Sequence, residues 1–142
     1  MNGEPCPVAR SVDLIGDRWS LLIVRDAFDG VRRFGDIQRS LGVARNILSD
    51  RLRKLVDAGI LEMHDASDGT AYKEYVLTAK GESLFPIVVA LRQWGEKHLF
   101  ERGERHSVLI DKRTGKPIAR MTPLGKDGSA LLPASTEVRK VK

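Results

Sequence analysis

The chain has 142 residues, is 42% hydrophobic and 30% charged, and carries a formal net charge of +5 with a sequence pI near 9.6. This composition excludes a disordered or collagen-like chain, and no apolar run approaches the length of a membrane-spanning helix. One cysteine, Cys6, cannot form an internal disulfide, and "MNGEPCPVAR" lacks the basic-then-apolar pattern of a secretory signal, so a cytoplasmic protein with no membrane partner is expected.

The charge is unevenly spread. Residues 1–100 hold 14 Lys+Arg and 14 Asp+Glu, whereas residues 101–142 hold 10 and 5. Within the neutral part, residues 32–54 gather seven basic groups against only Asp36 and Asp50. A local basic face of this kind can bind phosphates even on a neutral domain.

The first predicted helix runs from Pro7 to Ile15. Proline suits the first helical position, and Val8, Val12 and Ile15 share a face. Gly16 interrupts, and Asp17 can cap a second helix over Arg18 to Phe28, with Trp19, Leu22, Ile23 and Ala27 as its buried stripe. "DGVRRF" reads as a turn and a short extended piece, followed by a short helix in "FGDIQRSLG" that Gly42 ends. A further helix runs from about Ala44 to Ala58. Its Leu48, Leu52 and Leu55 repeat at helical spacing, so they face the core, and Gly59 sits where a left-handed residue terminates the helix. Two short helices joined by a tight "LGV" turn make a helix-turn-helix.

"ILEMHD" and "YKEYVL" are strand-like and joined by "ASDGTA", whose Asp68-Gly69 is a hairpin turn signal. Alternation sets Leu61 and Met63 against Glu62 and His64, and Tyr75 and Leu77 against Glu74 and Val76. A hairpin directly after a helix-turn-helix is a wing. Thr78 can cap a last long helix, Ala79 to about Phe100, kinked or restarted at Pro86. That helix is apolar on more than one face, with Leu84, Ile87, Val88, Leu91 and Trp94 forming one stripe and Phe85, Val89 and Leu99 widening it. The surplus implies a second surface, either the N-terminal helix or a partner chain. The fold class expected is therefore mainly α with a small β-hairpin (α+β), a winged helix-turn-helix over residues 1–100. Residues 101–142 form a basic β extension, with turns at Thr114-Gly115 and Asp127-Gly128.

"CPVARSVDLIGDRWSLLIVRD", "RRFGDIQRSLG", "LSDRLRKLVDAGIL" and "EYVLTAKG" together resemble the HxlR family of bacterial winged-helix transcription regulators, over roughly residues 6–100 in consistent order. The resemblance implies a homodimer that binds double-stranded operator DNA, usually as a repressor or activator of neighbouring genes. It makes the helix from about Ala44 to Ala58 the recognition helix. The leucine spacing independently turns Arg45, Asn46, Ser49 and Arg53 away from the core, and arginine with guanine or asparagine with adenine suits major-groove reading. Arg32, Arg33 and Arg39, with Lys73 on the hairpin, are candidates for phosphate contacts. The family's wing is usually basic, whereas the tip here is "DASDGT" and Tyr72 stands where a basic residue is common. Leu84, Val88, Leu91 and Trp94 are the expected dimer-interface residues.

Cys6 has two readings. Preceding Pro7, it falls at or just before a helix N-cap, where reactivity toward oxidants and quinones is expected, and some family members sense through a cysteine near the N-terminus. The alternative is a small buried apolar side chain. His64, His98 and His106 show no metal-ligand spacing, and no catalytic triad, phosphate loop or paired-carboxylate site emerges, so neither an enzyme nor a cofactor or metal is expected. The rival reading of the fold is a winged-helix protein-interaction module with a solvated basic face. The inducer, the operator and the sign of regulation are not written in the residues.

Overall fold

In a computed structural model, residues 5–66 and 68–141 are described. The elements in chain order are α1 (Pro7–Ile15), α2 (Arg18–Phe28), α3 (Phe34–Leu41), α4 (Arg45–Asp57), β1 (Leu61–Asp65), β2 (Lys73–Leu77), α5 (Ala79–Glu82) and α6 (Phe85–His98), with a short 3-10 turn at Pro133–Ser135. None of these helices is long and apolar enough to cross a membrane.

The chain falls into two compact units, Met1–Val88 and Val89–Lys142. In the first, the core is built where α2, α3, α4 and the start of β1 converge. Ile23, Val24, Ile37, Leu48, Leu52, Leu55, Ile60 and Leu61 are all essentially inaccessible to water. Each buried aliphatic side chain of this size contributes roughly 1.5–3 kcal/mol of transfer free energy. On α2 the fully buried residues are Ser20, Ile23, Val24 and Asp26, so of the stripe expected at Trp19, Leu22, Ile23 and Ala27 only Ile23 is fully buried and the buried face is rotated by about a residue. Trp19 packs against the core only in part, with the Arg18 guanidinium 5.2 Å from its ring centre.

Local chemistry fixes the helix ends. The Asp17 carboxylate accepts the Ser20 backbone N–H at 3.0 Å and so caps α2. Gly42 ends α3 at φ 65°, and Gly59 ends α4 at φ 76°, with Ile60 N–H donating back to the Leu55 carbonyl at 2.9 Å. A left-handed residue is cheap only for glycine, so these two positions set how closely α3, α4 and β1 follow one another.

β1 and β2 pair antiparallel from Leu61 opposite Leu77 to Asp65 opposite Lys73. The extended piece before α3 adds a partial third strand. Arg33 bridges Glu74, and Tyr75 N–H donates to the Arg32 carbonyl at 2.8 Å. This addition reverses part of the expected alternation. Glu74 is buried beside the added segment, next to Arg32 and Arg33, while Met63 on β1 is half exposed. The long last helix restarts rather than kinks: α5 ends at Glu82, and Pro86 lies in the first turn of α6. Thr78 caps α5 by accepting Gly81 N–H at 3.0 Å.

In the second unit, the Gln93 amide grips the extension as a strand would. It donates to the Ala119 carbonyl at 3.0 Å and accepts Met121 N–H at 2.7 Å. The β character of the extension is confined to turns closed by single bridges, Ile110 with Pro117 and Leu124 with Ala130.

Candidate nucleic-acid interface

The outward face of α4 follows from the inward one. Leu48, Leu52 and Leu55 are at most 1% exposed, so the residues on the opposite side of the same helix are solvated. Arg45, Asn46, Ser49 and Arg53 are all exposed and line one shallow hollow together with Asp50. The structure therefore brings all four predicted reading residues into one row. The N-cap of α4 is Ala44, which supplies no side-chain oxygen to cap the first backbone N–H groups.

The basic groups differ in how they are held. The Arg45 guanidinium lies 5.0 Å from the Phe34 ring centre and has no carboxylate partner among the described residues. Arg53 donates to Asp50 at 2.9 Å and Arg51 to the same carboxylate at 2.7 Å. Arg51 also donates to Asp17 at 3.0 Å, tying α4 to the cap of α2. Burial works against the ionised form of Asp17, but hydrogen bonds from Ser20 and Arg51 outweigh it, so the carboxyl lies below its ordinary range.

Arg39 pairs with Asp36 one turn away on α3, and Lys73 pairs with Asp65 across the hairpin. Arg32 is exposed, 3.9 Å from Glu74. Arg33 is the most enclosed of the predicted phosphate-contact residues. Its Nε lies 3.9 Å from Glu74, its Nη2 donates to Asp68 at the hairpin tip, and its guanidinium carbon sits 4.8 Å from the Tyr72 ring centre. Glu74 and Asp17, which position these arginines, were not among the expected site residues. Their signal was the excess of basic residues over 32–54, which needs carboxylates from elsewhere to settle it.

The expected dimer-interface residues separate into two sets. Leu84 and Val88 pack against the core of the first unit, whereas Leu91 and Trp94 are 51% and 59% exposed. On α1, Val8 and Val12 are exposed and only Ile15 is buried. Cys6 stands at the N-cap of α1, partly exposed, with Pro7 following it.

A core-facing helix pair joined by a glycine turn, a row of exposed polar residues on the second helix, and a hairpin braced alongside define a winged helix-turn-helix. The chain belongs to the HxlR-like helix-turn-helix family, whose model matches residues 14–103. It is 48% identical over 92 residues to Rv3095 of Mycobacterium tuberculosis, an uncharacterised HTH-type transcriptional regulator. That match covers 65% of this chain and only 58% of the relative. Among solved structures, PA1607, a candidate transcription factor, is 49% identical, with a TM-score of 0.90 over 96% of each chain. The redox regulator HypR in its reduced form is 30% identical, with a TM-score of 0.61 over 66% of this chain and 94% of that one. At 96% of this chain, the similarity to PA1607 takes in residues of the extension beyond the family domain.

Proposed function

We propose that the chain is a sequence-specific DNA-binding transcription regulator that works as a homodimer and represses by occupying its operator. The observation that carries this reading is the row Arg45, Asn46, Ser49 and Arg53, exposed on a helix whose other face is locked by three buried leucines. These side chains are suited to base edges in the major groove. The family membership and the names of the relatives support the same reading. A protein-interaction module would not need donors of this type on one helix face.

Dimerisation is supported by the apolar groups left in solvent on α1 and α6. Val8, Val12, Leu91 and Trp94 are each more than half exposed, Val8 and Val12 one turn apart on α1 and Leu91 and Trp94 one turn apart on α6, and apolar groups that share a helix face suit an interface. Two α4 helices related by a two-fold axis would read half-sites roughly 34 Å apart. Regulation through Cys6 is the finer part of the proposal. It is supported by the helix N-cap position, the partial exposure and the similarity to a redox regulator.

The test is selection of bound sequences from a random duplex library, followed by titrations of the selected site. Arg45→Ala or Asn46→Ala should weaken binding by roughly 1–3 kcal/mol and relax the preference at particular base pairs. If both variants bind as the parent does, the reading face is misassigned. For Cys6, affinity is compared before and after diamide in the parent and in Cys6→Ser; an equal response in both removes the thiol as sensor.

A further inference from the structure

The hairpin tip holds a carboxylate in the place of an anion that would otherwise come from outside. The Arg33 guanidinium is ringed by three groups of the hairpin: Asp68 and the Tyr72 ring from its loop and Glu74 from β2. Asp68 is itself fixed before it meets the arginine, because its other oxygen accepts Thr70 N–H at 3.1 Å. That backbone bond first, and the Arg33 guanidinium next, hold its carboxyl down to about 2, so it is ionised at every physiological pH. Glu74 is buried opposite Arg33 in the bridge between the extended piece and β2, and its place is set by the backbone.

The location gives this cage its consequence. Arg33 is the N-cap residue of α3, and the next residue, Phe34, is the ring beneath the Arg45 guanidinium. The caged arginine thus adjoins the first residue of the outward row on α4. Arg32, its neighbour, has a side chain 53% exposed against 28% for Arg33. An arginine whose charge is already met by an ionised carboxylate offers little to an approaching phosphate unless that carboxylate leaves.

We propose that Asp68 is a positioning residue for DNA: it occupies Arg33 as an internal substitute for phosphate, so that DNA gains the Arg33 contact only by displacing the hairpin tip. The proposal rests on the DNA-binding reading above. Charge-assisted arginine–carboxylate and arginine–phosphate bonds are similar in kind, so the exchange is close to even, and the contact adds little net affinity while Asp68 is present. An acidic tip then lowers the share of binding that comes from the phosphate backbone alone.

The test is a double-mutant cycle on the duplex that the parent selects, using Asp68→Asn, Arg33→Gln and the pair, titrated at several KCl concentrations. Asp68→Asn should tighten binding by about threefold to tenfold at low salt and steepen the salt dependence by about one counterion, the change expected for one added phosphate contact. In the Arg33→Gln background the same substitution should lose most of that gain, and Asp68→Glu, which keeps the charge, should bind as the parent does. An equal gain with and without Arg33 would reduce the effect to removal of a repelling charge and overturn the proposal. Weaker binding by Asp68→Asn, with a lowered melting temperature, would make the pair a simple brace of the hairpin and overturn it equally. A parent that selects no duplex sinks the DNA-binding reading and this proposal together, whereas a parent that binds without coupling sinks this proposal alone.

Discussion

Asp17 connects the stability of the domain to the placement of α4, and its removal can be worked through from the contacts. One carboxylate oxygen accepts both the Ser20 backbone N–H and the Arg51 Nε, each at 3.0 Å. Asp17→Ala removes the α2 cap, which costs about 0.5–2 kcal/mol. It also removes an ion pair between side chains about 30% exposed, worth roughly 0.2–1 kcal/mol after solvent screening. Arg51 keeps Asp50 at 2.7 Å, so no charge is stranded. The combined loss is about 0.7–3 kcal/mol, which at about 4–8 °C per kcal/mol for a unit of this size lowers the melting temperature by roughly 3–24 °C. Asp17→Asn retains a capping oxygen and forfeits only the ion pair, so its loss should stay below about 1 kcal/mol. The folded carboxyl titrates below its ordinary value of 3.8, so its contribution is complete above that value and is lost as pH falls through the folded value. The gap between parent and Asp17→Ala should therefore be widest at neutral pH and narrow in acid. Urea unfolding followed by circular dichroism at several pH values measures it. Equal losses in the Ala and Asn variants, or a gap that widens in acid, would refute the assignment of Asp17 as an ionised cap.

Three further outcomes are expected. A Cβ added to Gly81 would meet the Ile60 carbonyl oxygen at 2.1 Å, so Gly81→Ala should cost at least about 1–3 kcal/mol by forcing α5 away from the end of α4, as measured by thermal denaturation. Ala44→Asp should cap α4 and stabilise the fold by about 0.5–2 kcal/mol, yet weaken duplex binding, because the new carboxylate occupies the free N–H groups that suit a phosphate; stability and affinity moving in the same direction would contradict that use of the helix end. Leu91→Lys places a charge at a position already 51% exposed, so it should spare the fold but shift sedimentation equilibrium from twice 15.8 kDa to a single chain.

The sequence carried those parts of the fold that are encoded within one element. Leu48, Leu52 and Leu55 announce the buried face of α4 by spacing alone, and Gly42 and Gly59 announce the ends of α3 and α4 because only glycine accepts their positive φ at little cost. The same spacing put Arg45, Asn46, Ser49 and Arg53 in one row. Pairings between elements were not legible. Seven basic residues over 32–54 could each have met any carboxylate, and the partners that matter lie far off in sequence: Asp17 is 34 residues from Arg51, and Asp68 is 35 from Arg33. Strand alternation also misled at Glu74, because the extended piece before α3 pairs along the free edge of β2 and sets Arg32 and Arg33 each 3.9 Å from its carboxylate. The apolar stripe on the last helix divided for a related reason. Periodicity places Leu84, Val88, Leu91 and Trp94 together, but only the core of the first unit decides that the first two are already used. Charge count alone therefore overstates what the domain can offer an anion. Of the predicted phosphate and base contacts, Arg32, Arg33, Arg39, Arg53 and Lys73 each begin in an ion pair that binding must loosen. Arg45 meets only an aromatic ring, so its guanidinium is the one in this set that can turn to an incoming base without first breaking a salt bridge described here.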